Sequence, residues 1–166
     1  ISDIVCDPEG VLYLFYVSFR NSKYHLFLKC FNDGFWSFEQ SLYNATSIDE
    51  VNVAPDRYDG VHVVFGGYGP QHLHVYNNLT CTTHSGESFF CVAIDTDRMN
   101  CRHVSFTVAI GNPYYAYYAS FFEDEFDLDS AQLLGDNHQA IYRSDYYSDI
   151  LTDPFWGVHI AWERSF

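Results

Sequence analysis

Basic side chains are scarce in this 166-residue chain: 8 Lys and Arg stand against 22 Asp and Glu, a formal net charge of -14 at pH 7. A polyanion would meet repulsion over most of such a surface, so nucleic acid and anionic membranes are poor partners. Long apolar runs are also missing. The longest, such as Val11 to Val17, have strand length and fall far short of the roughly 18 to 20 residues that cross a bilayer as a helix, so no membrane span is expected. No helix of ordinary length is legible, no Gly-X-Ser-X-Gly or glycine-rich loop opening a helix occurs, and no cysteine sits in a recognised nucleophile context. A non-enzymatic protein is expected. The chain opens at Ile1 without a basic segment, apolar stretch and small-residue cleavage site, which reads as a mature or excised segment.

Aromatic residues are abundant, with 14 Tyr, 15 Phe and 3 Trp making 19% of a chain that is 48% apolar. These types pack well on pleated surfaces, and the length is enough to bury a core, so the expectation is an all-β protein. Four segments align around Gly10, Gly60, Gly111 and Gly157. Each reads as a short strand, a tight turn of Asp, Pro, Asn or Gly, and a longer strand rich in Val, Tyr and Phe. The second strands, Val11 to Tyr16 and Tyr114 to Tyr118, are apolar almost throughout, as expected of strands covered on both faces. Further strands are expected at Lys23 to Phe31, Phe35 to Tyr43, Gln71 to Leu79 and Ser88 to Ile94, giving four per unit. The chain divides into repeats over 1–47, 48–101 and 102–147 and a half-repeat over 148–166, with an acidic insertion from Glu123 to Asp129. The expected core is Val11, Leu12, Leu14, Phe15, Val61, Val63, Val64, Tyr115, Tyr117, Val158 and Ile160.

The run Ile110-Gly111-Asn112-Pro113-Tyr114-Tyr115-Ala116-Tyr117-Tyr118, and Leu28 to Gln40 with Asp33, Gly34 and Trp36, resemble β-propeller repeats related loosely to the Asp-box repeats of sialidases and fungal lectins. The resemblance implies antiparallel four-stranded propeller-type blades, about three and a half of them, with Asp33 and Gly34 in a turn and Trp36 filling space between blades. Asn32 to Trp36 is too short for a strict Asp box and lacks its leading Ser. Closed propellers take 4 to 8 blades, so the last hairpin should leave an unpaired edge along Val158, His159, Ile160, Ala161 and Trp162, completed by another subunit or by the first blade. Two functions follow: a self-assembling extracellular structural module forming an oligomer or filament through that edge, or a lectin-like carbohydrate-binding propeller with Trp156, Trp36 and Tyr68 as platforms for sugar faces. For Trp36 and Trp162, which lie within strand patterns, the core is the favoured place. A sialidase-like glycosidase would need several of Arg20, Arg57, Arg98, Arg102, Arg143 and Arg164 to converge, and none recurs at the blade position that family requires.

No cofactor is expected. Calcium has the better support among metals, since Asp95, Asp97 and Asn100 concentrate oxygen ligands in one loop and the acids from Glu123 to Asp129 in another, neither fitting an EF-hand. His72 and His74 share a strand face, but the two closely spaced cysteines of a structural zinc site are absent. Five cysteines leave at least one unpaired within the chain; Cys81 with Cys91 across a hairpin at Ser85-Gly86-Glu87 is the first pairing, and Cys91 with Cys101 the second. Together with the sequons Asn44-Ala45-Thr46 and Asn78-Leu79-Thr80, the cysteines point to a secreted glycoprotein. Glycosidase treatment of the native protein should lower its intact mass by the glycans of Asn44 and Asn78; an unshifted mass would overturn both the glycosylation and the secretory reading.

Overall fold

Short Val-, Tyr- and Phe-rich runs punctuated by Asp, Asn and Gly turns fold into antiparallel strands from end to end. The computed structural model describes the backbone of residues 1–58, 60–68, 71–76, 78–83, 88–109, 114–121, 131–134, 144–155 and 157–165. The strands are β1 (Ser2–Cys6), β2 (Leu12–Arg20), β3 (Lys23–Asn32), β4 (Phe35–Trp36), β5 (Gln40–Ala45), β6 (Ile48–Pro55), β7 (Val61–Tyr68), β8 (Gln71–Tyr76), β9 (Asn78–Thr83), β10 (Ser88–Thr96), β11 (Arg102–Ala109), β12 (Tyr114–Phe121), β13 (Gln132–Leu133), β14 (Ser144–Thr152) and β15 (Val158–Ser165). The protein is all-β. Among the described residues no helix is long and apolar enough to cross a membrane.

Sequential pairing groups the strands into meanders: β1-β2-β3 with β4 and β5 both on β3, then β6-β7-β8-β9, then β10-β11-β12-β13, then the hairpin β14-β15. A short bridge, Ser88 to Tyr68 and Phe89 to Gly67, joins the second and third meanders into one eight-stranded sheet. No sheet closes on itself among the described residues. Both two-residue loops of the first meander, Asn21-Ser22 and Asp33-Gly34, have positive φ at each position, the mirror-image turn whose twist matches a hairpin.

One aspartate turn recurs four times, between β1 and β2, β6 and β7, β10 and β11, and β14 and β15. The N–H groups of Asp7, Asp56, Asp97 and Asp153 donate to the carbonyls of Val11, Gly60, Cys101 and Gly157 at 2.8 to 3.1 Å. In the first, third and fourth turns one carboxylate oxygen also accepts two backbone N–H groups inside the turn. The third aspartate turn therefore lies at 97–101; Gly111 falls outside the described residues. Glycine spacing misplaces it because Asn100, φ 62°, takes the left-handed position that Gly10, φ 89°, holds in the first turn, and Asn tolerates that conformation. As a result β10 opens the third meander, so the boundary at 101/102 cuts a hairpin.

The meanders pack face to face. Along β7 the side chains of Val61, Val63 and Phe65 join Phe15, Leu26, Leu28, Ile48 and Val51 in one buried cluster, while Val64 on the opposite face joins Ala54, Val92, Ile94, Val104, Phe106, Ala119 and Phe121 in a second. This explains why β7 carries apolar side chains on both of its faces: both faces of its sheet are covered. The inner strands pack in the order β1, β6, β10, β14. Side chains link them where ladders do not. The Val53 N–H donates to Asp3 Oδ2, the Ile94 N–H to Asn52 Oδ1 and the Thr152 N–H to Asp95 Oδ2, at 2.6 to 2.9 Å.

Burial corrects several expectations. Phe15, Val61, Val63 and Val64 are core, but Val11, Leu12, Leu14, Val158 and Ile160 are half-buried, because their faces of the terminal sheets have less cover, and Tyr117 is half-buried at the margin of the second cluster; the side chain of Tyr115 lies outside the described residues. Trp36 and Trp162, expected inside, are exposed on β4 and β15. Cys81 lies on β9, which pairs with β8, and Cys91 on β10, which pairs with β11 and meets β7. Their side chains lie outside the described residues. Cys101 is a free thiol at the β10–β11 turn. Phe15→Ala should cost about 3 to 5 kcal/mol and Leu14→Ala clearly less, because Phe15 leaves a full cavity and Leu14 does not. Asn52→Ala should cost about 1 to 3 kcal/mol by orphaning the Ile94 N–H. Denaturant midpoints check all three.

Candidate functional site

The first sheet has one face on the core and one outward. Alternation along β2 sends Phe15 inward and Tyr16, Ser18 and Arg20 to the other side, and the β2–β3 register sets Tyr16 opposite Phe27 and Ser18 opposite His25. On this outer face Tyr16 and Phe27 stack at 5.4 Å between ring centroids, and His25 and Phe27 at 5.7 Å. The Arg20 guanidinium lies 4.3 Å above the Phe27 ring, which is why a phenylalanine on the outer face is nonetheless buried. Glu39 completes the cluster. Arg20 Nη1 and Nη2 donate to its two carboxylate oxygens at 2.6 and 3.2 Å, and the Tyr16 hydroxyl donates to Oε2.

The electrostatics fix the charge state. The hydrogen bonds from Arg20 and Tyr16 hold the Glu39 carboxyl below its ordinary value, and Glu39 in turn raises Arg20. Partial burial, then Glu39, pushes the Tyr16 hydroxyl up, so it stays protonated and able to donate. Arg20 keeps N–H groups beyond the two it uses, and the Glu39 carboxylate accepts three hydrogen bonds of the roughly four its lone pairs permit. Further along the same face, where β4 pairs with the end of β3, Trp36, 47% exposed, packs on Phe31 at 5.2 Å; Phe35, opposite Asn32, and Phe38 are 78% and 98% exposed. Ser37 secures this segment to β3: its N–H donates to the Cys30 carbonyl and its hydroxyl accepts the Cys30 N–H.

Of the residues singled out from sequence, Trp36 lies at this face. Trp156 is outside the described residues, as is the Tyr68 side chain at the end of β7. Arg20 belongs here, yet Arg57, Arg98 and Arg102 lie around the second and third aspartate turns, away from it; Arg143 and the Arg164 side chain are outside the described residues. The expected calcium ligands carry other contacts. Asp95 holds the N–H and hydroxyl of Thr152, while Asn100 donates to Asp56 Oδ2 and accepts the Arg57 N–H, tying the second turn to the third. The acids of 123–129 and the side chains of His72, His74 and Asn78 lie outside the described residues; Asn44 is exposed on β5. Tyr16, His25 and Glu39 were not anticipated. The signal for them is the mixed alternation of Tyr16, Ser18 and Arg20 against His25, Phe27 and Lys29, where a core face would be uniformly apolar.

The aspartate turns add a second set of titratable groups. The residue six places after each aspartate faces its carboxylate: Tyr13 hydroxyl at 3.0 Å from Asp7, His62 Nε2 at 2.9 Å from Asp56, His103 Nε2 at 3.3 Å from Asp97 and His159 Nε2 at 2.9 Å from Asp153. Asp153 is held below its ordinary value by His159 and the turn N–H groups. Desolvation works to raise Asp97, but the Cys101 and Met99 N–H groups and His103 outweigh it, and the net direction is also down.

Comparison with known proteins finds no matching protein-family model and no matching curated protein. Among solved structures, a fucose lectin from Kordia zhangzhouensis in complex with methyl-fucoside is similar to this chain over 76% of its length and 100% of the lectin chain, with 12% identity and a TM-score of 0.44. That level of likeness carries no functional argument, and the geometry above has to supply it.

A carboxyl whose folded pKa is depressed contributes stability that is present above its unfolded value and lost as pH falls through the folded one. For Asp97 and Asp153 the unfolded value is near 3.8. Their contribution to the thermal midpoint should therefore be complete at neutral pH and disappear below pH 3.8, and Asp153→Asn should flatten that acid limb, as a melting series from pH 7 to pH 2 would show.

Proposed function

We propose that this chain is a non-enzymatic carbohydrate-binding module built of propeller-type blades, and that the outer face of the first meander is its binding site. The observation that carries the reading is an exposed, ionised Arg20–Glu39 pair, with donors and an acceptor site to spare, set on stacked aromatic rings, with the exposed Trp36 further along the same face. Adjacent hydroxyls of a sugar accept from a planar guanidinium and donate to a carboxylate, while the C–H face of the ring lies on an aromatic side chain. No metal or redox group is needed for such recognition. In this reading the net negative charge excludes polyanionic glycans and favours neutral ones. A secreted setting with glycans on Asn44 and Asn78 accompanies it.

Self-assembly through the last hairpin is the second reading. It is favoured by one observation: among the described residues β15 pairs with β14 alone, leaving the edge of Val158 to Trp162 without a strand. Size-exclusion chromatography of the purified protein separates this from the first reading, a discrete small species being expected.

A neutral-glycan array followed by calorimetry tests the site. The wild-type protein should select a subset of glycans, and Arg20→Ala, Glu39→Gln and Trp36→Ala should each weaken binding at least about tenfold, near 1.4 kcal/mol, with circular dichroism unchanged. Absence of glycan selectivity, or full affinity in all three folded variants, would overturn the proposal.

A further inference from the structure

We propose that the third aspartate turn is a zinc site with Asp97, Cys101 and His103 as its protein ligands. Their donor atoms lie within 4.8 Å of one another. The proposal rests on how this turn departs from its three counterparts. In those, the second carboxylate oxygen is hydrogen-bonded to the residue six places on. Here His103 Nε2 is within 3.3 Å of Asp97 Oδ2, an ion-pair distance, but the angle makes no hydrogen bond, and Nε2 is a buried nitrogen with no hydrogen-bond partner on a side chain 8% exposed.

The second departure is the residue four places after the aspartate: Val11, Gly60 and Gly157 in the other turns, Cys101 here. A side chain at that place runs toward the carboxylate, as Gly157 shows, where an added Cβ would press against Asp153 Oδ2. In the third turn the side chain ends in a sulfur that makes a weak hydrogen bond to the Arg102 carbonyl, at 3.8 Å, and faces the Phe121 backbone N–H.

The remaining contacts orient the donors. Asp97 Oδ1 is held by the Met99 and Cys101 N–H groups at 2.8 and 2.9 Å, leaving Oδ2 for a ligand. His103 Nδ1 is 2.8 Å from the Tyr118 hydroxyl, and the two rings stack at 6.0 Å. The tautomer that donates Nδ1–H to Tyr118 presents the Nε2 lone pair to Asp97 and Cys101, the arrangement a metal-bound histidine requires. One nitrogen, one oxygen and one sulfur suit tetrahedral zinc with water in the fourth place, and the sulfur and nitrogen argue against calcium. Zinc bonds of about 2.0 to 2.3 Å set donors about 3.5 Å apart. Asp97 and His103 already have that separation, and rotation of the Cys101 side chain supplies the rest. Binding releases the thiol proton to solvent and changes no oxidation state.

The full-length protein, stripped with a chelator and kept reduced, is titrated with Co2+ and then Zn2+. One equivalent of cobalt should give a thiolate charge-transfer band and tetrahedral ligand-field bands, zinc should displace them, and zinc should raise the melting temperature. Cys101→Val, which restores the residue of the first turn, and His103→Gln should each lower affinity at least tenfold and remove the zinc-dependent shift; Cys101→Ser provides a second sulfur-free variant if the valine form is unstable. Cys6→Ser with Cys30→Ser should leave the bands intact. Failure to take up one equivalent, or a charge-transfer band that survives Cys101→Val or Cys101→Ser, overturns the site. Glycan affinity, read separately, should be the same with and without zinc.

Discussion

The architecture depends on a recurring substitution of side chain for strand. When four-stranded meanders pack face to face, the ladders leave over some N–H groups of the inner strands, and a buried N–H without a partner is costly. Asp3, Asn52 and Asp95 supply the missing acceptors, each reaching from one inner strand to the backbone of the next. Asp3 and Asn52 stand four residues before their turn aspartates, and the N–H groups they accept, on Val53 and Ile94, stand three before theirs. The first two junctions therefore share one register, while the third uses Asp95 and Thr152, closer to their turns. These bonds orient one sheet on the next in a way that non-directional apolar contact cannot.

The aspartate turns work beside those links. Each closes a hairpin by taking turn N–H groups on a carboxylate and presents the other oxygen to Tyr or His. Where turns meet, the arrangement becomes a network: Asn100 of the third turn bonds Asp56 and the Arg57 N–H of the second, and Arg102 Nε lies 3.1 Å from His62 Nε2. Acidic residues thus serve two ends in this chain. Some are a solvated surface, and a defined subset is spent on backbone donors inside the fold.

The outer face of the first sheet differs from the inner sheets in kind. β7 has apolar side chains on both sides because sheets cover both. The first sheet has a covered face carrying Phe15 and Leu26 and a free one carrying Tyr16, Arg20, His25 and Glu39. Position at the end of the stack leaves that face outward, and aromatic rings that would otherwise join a core become its floor.

Much of the fold was legible in the sequence because period-two patterning and turn chemistry are local. Strand-rich composition, antiparallel hairpins and the Asp33-Gly34 turn follow from neighbours a few residues apart, whereas the two-sided cover expected of Val11 to Tyr16 does not hold, because one face of the first sheet is outward. The third repeat was misplaced because glycine was taken as the anchor, whereas the physical requirement is an aspartate with a residue able to adopt positive φ after it and a Tyr or His six places on; Asp97, Asn100 and His103 meet it without glycine. Three things were decided by tertiary structure alone. Which face of β2 is core depends on where the second meander packs, so Leu14 and Trp36 lie outside and Phe15 inside. The pairing of β9 and β10 with separate neighbours depends on sheet order. The meeting of Arg20 with Glu39, and of Cys101 with the orphaned nitrogen of His103, depends on rotamers and on what the neighbouring groups leave unsatisfied, and no spacing along the chain encodes that.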